Sequence, residues 1–241
     1  MTAAGGVVVR TVLETSAGPD GLSRRLVEVS EGSQFEGTAG PGGELWFVIE
    51  GAGRLTSGAG TARPVQRDTG VWLPPGARYC LRADGTGGLR LDSVALPAGA
   101  ADRAGTGQPG QAGTGEPGRD GTAGDAAGPQ LSQLQDCAVE VTGDRRFRVL
   151  FGPGHGCNAA TQFVGEIPPG RAPEHSHPYD EVVLVLAGQG VLHARPADHP
   201  ITQGSCVHLS PGQPHCLENT GPATLRVLGV FHPGGSPASK R

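Results

Sequence analysis

Apolar residues in this chain fall in short runs, not in long stretches with a helical period. Leu45–Ile49 and Val182–Leu186 are two such runs, and each stops at a Gly-x-Gly turn, Gly51–Gly53 and Gly188–Gly190. Apolar, β-branched-rich runs of this length between turn residues predict strands. Pro-Gly pairs at Pro75-Gly76, Pro169-Gly170 and Pro211-Gly212 mark further turns. No window combines a 3.6-residue apolar period with helix caps. The pattern predicts an all-β chain of many short strands, a sandwich or barrel with a jelly roll among the options.

Between residues 98 and 130 the pattern vanishes. That stretch is Gly, Ala, Pro and Asp with almost nothing large and apolar, so it buries too little surface to offset the entropy of ordering it. It reads as a flexible, disordered linker between two units, residues 1–97 and 131–241. The two units resemble each other. The stretch from Tyr79 aligns without gaps to the stretch from His215, pairing Cys80 with Cys216, Gly85 with Gly221 and Leu89-Arg90 with Leu225-Arg226. Upstream, Gly76 falls on Gly212, Glu44 on Glu181 and Gly51 on Gly188. The chain reads as a tandem duplication.

Composition narrows the function classes. The formal net charge is −4 with no Lys/Arg-rich block, which argues against nucleic acid and anionic membrane as partners. No apolar run approaches the roughly 18 residues that span a bilayer, and the first residues lack the pattern of a secretion signal. Five cysteines without a CxxC pair read as reduced thiols, so the expected location is the cytoplasm.

The candidate chemistry sits in "GRAPEHSHPYDEVVLVLAGQG", Gly170–Gly190. On a strand His175 and His177 would face one side, and Glu181 can return to that side across the bend between them. His215, Leu217 and Asn219 alternate onto one face of a later strand. Three imidazoles and a carboxylate suit one divalent ion, Fe, Mn, Ni, Co or Zn, with room for water, substrate or O2.

These residues carry a family resemblance. Gly170-x4-His175-x-His177-x3-Glu181-x6-Gly188 resembles the first cupin motif, with one residue fewer before the first histidine. Gly204-x5-Ser210-x-Gly212-x2-His215-x3-Asn219 resembles the second, with Ser210 where proline is usual. The resemblance implies a bicupin: two cupin-type, double-stranded β-helix (jelly-roll) barrels, with His175, His177, Glu181 and His215 holding a metal in the C-terminal one. Asn219 matches a motif position without being an expected ligand.

The N-terminal copy departs from the pattern. Glu44 keeps its place, but Thr38 and Gly40 stand where the two histidines belong and Tyr79 replaces the third; all eight histidines lie after residue 150. This copy is expected to have lost its metal and to serve a structural role. Further candidates near the C-terminal motif are His193 and His208, as a proton shuttle or as donors to the ligands, and Tyr179, as a gate; the plainer reading for each is packing or solvent. His155, His199 and His232 lie in Gly/Pro-rich surroundings and read as surface loops. Aromatics are scarce at 4%, so an aliphatic pocket lining is expected, with Phe163 and Tyr179 the nearest aromatics in sequence.

The resemblance implies a metal pocket; it does not name a reaction. The leading expectation is a mononuclear non-haem dioxygenase or oxidoreductase acting on a small molecule. The alternatives are a non-redox isomerase, cyclase, hydrolase or lyase using the metal as Lewis acid, and a non-catalytic small-ligand-binding cupin. A monomer and a homodimer are equally compatible with the sequence.

Overall fold

The computed structural model of the chain describes residues 2–16, 21–58, 60–100 and 128–238. In the first unit the strands are β1 (Thr2–Ala4), β2 (Val7–Glu14), β3 (Ser23–Val29), β4 (Gln34–Thr38), β5 (Glu44–Thr56), β6 (Arg63–Gln66), β7 (Thr69–Leu73) and β8 (Arg78–Ala95). After the expected linker come β9 (Gln130–Gln133), a 3-10 turn at Leu134–Asp136, β10 (Glu140–Thr142), β11 (Arg145–Phe151), β12 (Thr161–Ile167) and β13 (Gly170–Arg171). The chain continues through β14 (Asp180–Ala187), β15 (Gln189–Ala194), β16 (Ala197–Thr202), β17 (Cys206–Leu209), β18 (His215–Asn219) and β19 (Leu225–His232). The all-β expectation holds among the described residues. Most of the expected linker, residues 101–127, lies outside them.

The duplication is visible in the strands. In the first unit β5 and β8 run 13 and 18 residues through a bend and pair along much of their length. In the second, β14 with β15 and β18 with β19 follow the same paths as separate strands, divided between a sheet ordered β10-β11-β12-β19-β14-β17 and one ordered β13-β18-β15-β16. The bend in each copy falls at the aligned glycine. Gly51 has φ 84° and Gly188 φ 90°. A Cβ on Gly51 would strike the Gly88 carbonyl, and one on Gly188 would lie 3.0 Å from Leu225 Cα. Only glycine meets both demands, which is why the motif spacing survives in the copy that lost its histidines.

The apolar runs read as unbroken because their strands are buried on both faces. Along β14, Val183 and Val185 pack inside their own barrel, while Val182, Leu184 and Leu186 face the other barrel and join Leu45, Phe47, Trp72 and Val94 in a shared core. Trp46 and Val48, alternating with Leu45 and Phe47, fill the first barrel. Polar ties cross the same interface. Arg24, fully buried on β3, pairs with Asp92 at 3.0 Å and donates to the Leu228 carbonyl at 3.4 Å; Gln162 donates to the Trp46 carbonyl at 3.2 Å; Arg226 pairs with Asp68 at 3.0 Å.

The expected boundary at residue 131 shifts. β9 pairs with β7 in register Thr69↔Gln133 to Trp72↔Gln130, adding a strand to the first barrel's sheet. The segment after the linker therefore closes the N-terminal unit before the second barrel begins. No helix among the described residues is long and apolar enough to cross a membrane, and all five cysteines are free thiols.

Candidate metal centre

His175 and His177 do not lie on a regular strand, as the alternation argument assumed. They sit between β13 and β14, and what orders them is a single antiparallel bridge between His175 and His215. The His175 N–H donates to the His215 carbonyl at 3.0 Å and the His215 N–H donates back at 2.8 Å; Gly212 N–H donates to the His177 carbonyl at 2.6 Å. The loop is thus pinned to β18 and to the Pro-Gly turn before it.

The three rings converge, with centroids 4.6 to 5.3 Å apart. One ring nitrogen of each lies within 4.8 Å of those of the other two. Nδ1 of His175 lies 3.1 Å from the Pro173 carbonyl, Nδ1 of His215 lies 2.8 Å from the Gln213 carbonyl, and Nδ1 of His177 lies 3.0 Å from the Tyr179 hydroxyl. A backbone carbonyl only accepts, so Nδ1 carries the proton in His175 and His215. The lone pair left on each Nε2 is what a metal requires. Tyr179 reaches the Ser236 carbonyl at 3.5 Å; a hydroxyl donating there accepts from His177 Nδ1 and sets the same tautomer. Its ring stacks between His177 and Phe231, with centroids 4.9 and 4.1 Å away.

Glu181 stands outside the tight histidine group but touches it, with Oε2 3.6 Å from His177 Nε2. Burial pushes its carboxyl up to about 7, against the opposing charge of Arg24. Burial likewise lowers His175 to about 4, aided by the like charges of His215, His177 and Arg145, and lowers His215. A buried carboxyl that resists ionisation beside imidazoles that resist protonation is a poor set of residues in isolation. A divalent cation removes the conflict, because it needs a carboxylate and neutral imidazoles. On donor type, convergence and tautomer the residues fit such an ion.

The set lines a cavity of about 90 Å³. Its wall is more aromatic than expected: Phe147, Phe163, Tyr179 and Phe231 join Ile167, Val183, Leu209, Leu217 and Val227. The scarce aromatics gather here because β11, β12 and β19 each turn one inward, and Phe163 fills the space over Gly229, its register partner.

Two of the three further candidates miss the cavity. His208 pairs across β14 with Val182, its neighbour Leu209 faces inward opposite Glu181, and its own ring lies 2.7 Å from Asp180. His193 is clasped by Asp198 at 2.9 Å and Glu218 at 2.8 Å, also away from the cavity wall. Both are withdrawn as proton carriers to the site. His155 and His199 are exposed, His155 in a turn as expected and His199 on strand β16 instead of a loop. His232 is not a surface loop: it ends β19, is buried, and sets Nδ1 2.8 Å from the Ala159 carbonyl. Arg145, also in the cavity wall, went unread in the sequence. The available signal was its parity with Phe147 two positions on, which marks an inward-facing cation at the head of a strand.

In the N-terminal copy protein atoms occupy the equivalent place. Buried Glu44 accepts from Arg25 at 2.9 Å, from Trp46 Nε1 at 3.0 Å and from Ser93 at 3.2 Å. Tyr79 packs on Trp46 and Phe35, with centroids 4.6 and 5.3 Å apart, and burial, with Glu44 beside it, pushes its phenol up to about 12. Thr38 is exposed on a groove that also includes Tyr79.

Residues 163–231 match the family described as cupin domain, and residues 30–148 match the AraC-like ligand binding domain. The chain is 36% identical over 68 residues to an oxalate-binding protein of Thermotoga maritima, covering 27% of this chain and 56% of that protein. It is 31% identical over 87 residues to auxin-binding protein 1 of Arabidopsis thaliana, covering 32% and 44% respectively. The chain thus spans about half the length of the curated relatives it matches. Oxalate decarboxylase of Bacillus subtilis, in a structure described for its Mn(II) centres, superposes with a TM-score of 0.72 at 15% identity, over 97% of this chain and 75% of that one.

Proposed function

The chain belongs to the cupin superfamily, and from that membership we propose that its C-terminal barrel is a mononuclear metal site that acts oxidatively on a small organic molecule. His175, His177, Glu181 and His215 would hold the ion. Once bound, a redox-active ion such as Mn or Fe would supply the electron transfer and the coordination of substrate and O2 that this barrel's side chains cannot. The residues of the chain prepare the site: the Pro173 and Gln213 carbonyls and the Tyr179 hydroxyl fix the ring tautomers, and the four aromatic rings give the cavity a largely apolar wall.

The observation that carries the oxidative reading is the composition of the cavity wall. Among the described residues Glu181 is its one carboxylate, and its one phenol, Tyr179, is pushed well above its usual range by burial and by Glu181. An isomerase, hydrolase or lyase that relies on a side-chain general acid or base needs one within reach of the substrate; here every inward imidazole and carboxylate is read as a ligand, which leaves that role to the ion and its bound water alone. The cavity of about 90 Å³ admits only a small molecule. The curated relatives are named for oxalate and auxin, both small organic acids, and the structural neighbour is an oxalate decarboxylase described for its Mn(II) centres.

Elemental analysis of anaerobically purified protein beside His177→Ala tests the site. One equivalent of manganese or iron in the wild type, lost in the variant, supports it. Oxygen uptake with a panel of small organic acids then tests the reaction. Zinc, or substrate turnover without oxygen uptake, would overturn the oxidative reading. No metal in either protein after reconstitution would overturn the site.

A further inference from the structure

Arg145 opens β11 and is half-buried. Its side chain lines the same cavity as His175, His177 and His215. Its Nη2 is shut off from solvent and has no hydrogen-bond partner among the described residues. Its chain neighbour Asp144 attracts it without coming within ion-pair distance. Arg148 of the same strand is held by Glu166 at 3.5 Å and Arg226 by Asp68 at 3.0 Å, while Arg146, which also borders the cavity, is exposed to solvent and so already has water for its donors. A guanidinium is costly to bury and presents a fixed fork of donors, so one left unpaired in a cavity wall calls for an acceptor that comes and goes.

The surroundings define that acceptor. Glu181 is the one acidic side chain of the wall, and it already lies against His177. Arg145 adds a positive charge that reaches His175 and His215. A divalent ion at the imidazoles would make the enclosed field more positive still, and apolar walls strengthen it. The matching ligand is a small anion with planar, paired oxygens, the geometry a guanidinium grips through two hydrogen bonds.

We propose that Arg145 is the residue of this cavity that binds the carboxylate of the substrate, so that the protein selects small organic acids over neutral molecules of the same shape. This rests on reading the cavity as the substrate pocket. Arg145 reads the charge and the aromatic wall limits the size.

The test compares wild type, Arg145→Gln and Arg145→Lys, each metal-free and each loaded with Mn(II). Calorimetry and thermal shift follow oxalate, glycolate and malonate against their uncharged amides oxamide, glycolamide and malonamide. Wild type is expected to bind at least one acid about 10- to 100-fold more tightly than its amide. Arg145→Gln should lose that preference while keeping its melting temperature and Mn(II) content, and Arg145→Lys should keep part of it, a point charge without the fork. Retained preference in Arg145→Gln, or none in the wild type in either form, overturns the inference. Should Arg145→Gln not fold, a reduced preference in Arg145→Lys supports the inference and full preference overturns it. A wild type that takes up no metal yet prefers the acids through Arg145 sinks the metal reading and leaves this one standing. A wild type that holds Mn(II) without that preference does the reverse.

Discussion

His175 and His215 hold each other through the main chain, each N–H donating to the other's carbonyl at 3.0 and 2.8 Å. The frame of the site is therefore independent of the rings it presents. His215→Ala should remove an Nε2 donor and leave the bridge intact. Metal affinity is expected to fall by at least about 100-fold, more than the loss of an outer hydrogen bond brings. The metal-free protein should lose only about 1–2 kcal/mol from the missing ring. Metal titration and urea unfolding in chelator read the two effects separately; an unfolded variant would show that the ring, not the bridge, carries the frame.

Glu181 sets stability against binding. Its folded carboxyl lies near 7, above the usual 4.5. A raised pKa favours the fold while the group is protonated, below about 4.5, and that contribution is lost as pH rises through about 7. Metal-free Glu181→Gln should thus be more stable than wild type at pH 8 by about 3 kcal/mol, and the gap should close on acidification toward pH 5. With metal the order should reverse, since Gln supplies no charge to the ion. Wild-type metal affinity should also climb between pH 6 and 8 as Glu181 ionises. Urea unfolding across pH, with and without metal, measures all three; equal stabilities at pH 8 in chelator would refute the account.

Tyr179→Phe isolates one hydroxyl. The stacking on Phe231 and His177 is kept, and the hydroxyl's bonds to His177 Nδ1 at 3.0 Å and to the Ser236 carbonyl at 3.5 Å are removed. Metal affinity is expected to drop about 10-fold with little change in thermal stability. Unchanged affinity in calorimetry would show that the phenol packs without orienting the imidazole.

The four metal-ligand candidates were legible because their spacing in sequence is tied to turn glycines, and turns are local. The strand content was legible for the same reason. Features that depend on register were not. His208 looked close to the motif, yet its parity with Val182 turns it outward. The aromatic wall and Arg145 come from β11, β12 and β19, which meet only after the sheet has paired. β9 read as the start of the second unit, because a four-residue strand carries no mark of which sheet it will join. The run Val182–Leu186 announced burial on both faces, but not that one face belongs to the other barrel.

In the N-terminal barrel the ion pair between Arg25 and Glu44 stands where the other copy is read as holding a metal. Glu44 is almost fully buried, and its Oε2 also receives Trp46 and Ser93. Two neutral donors do not balance a buried carboxylate, so the guanidinium supplies the counter-charge that a cation would supply. Arg25→Met should then destabilise the protein by about 2–3 kcal/mol, below the full penalty for a buried pair because Arg25 is partly exposed. Adding Glu44→Gln should restore most of that loss, since the orphaned charge goes with it. Neither change should alter the metal content or the metal affinity of the C-terminal site. A double-mutant cycle by urea unfolding, with metal analysis on each variant, decides the matter. Additive losses would show that Arg25 and Glu44 act separately, and a changed metal content would show that the first barrel takes part in the site of the second.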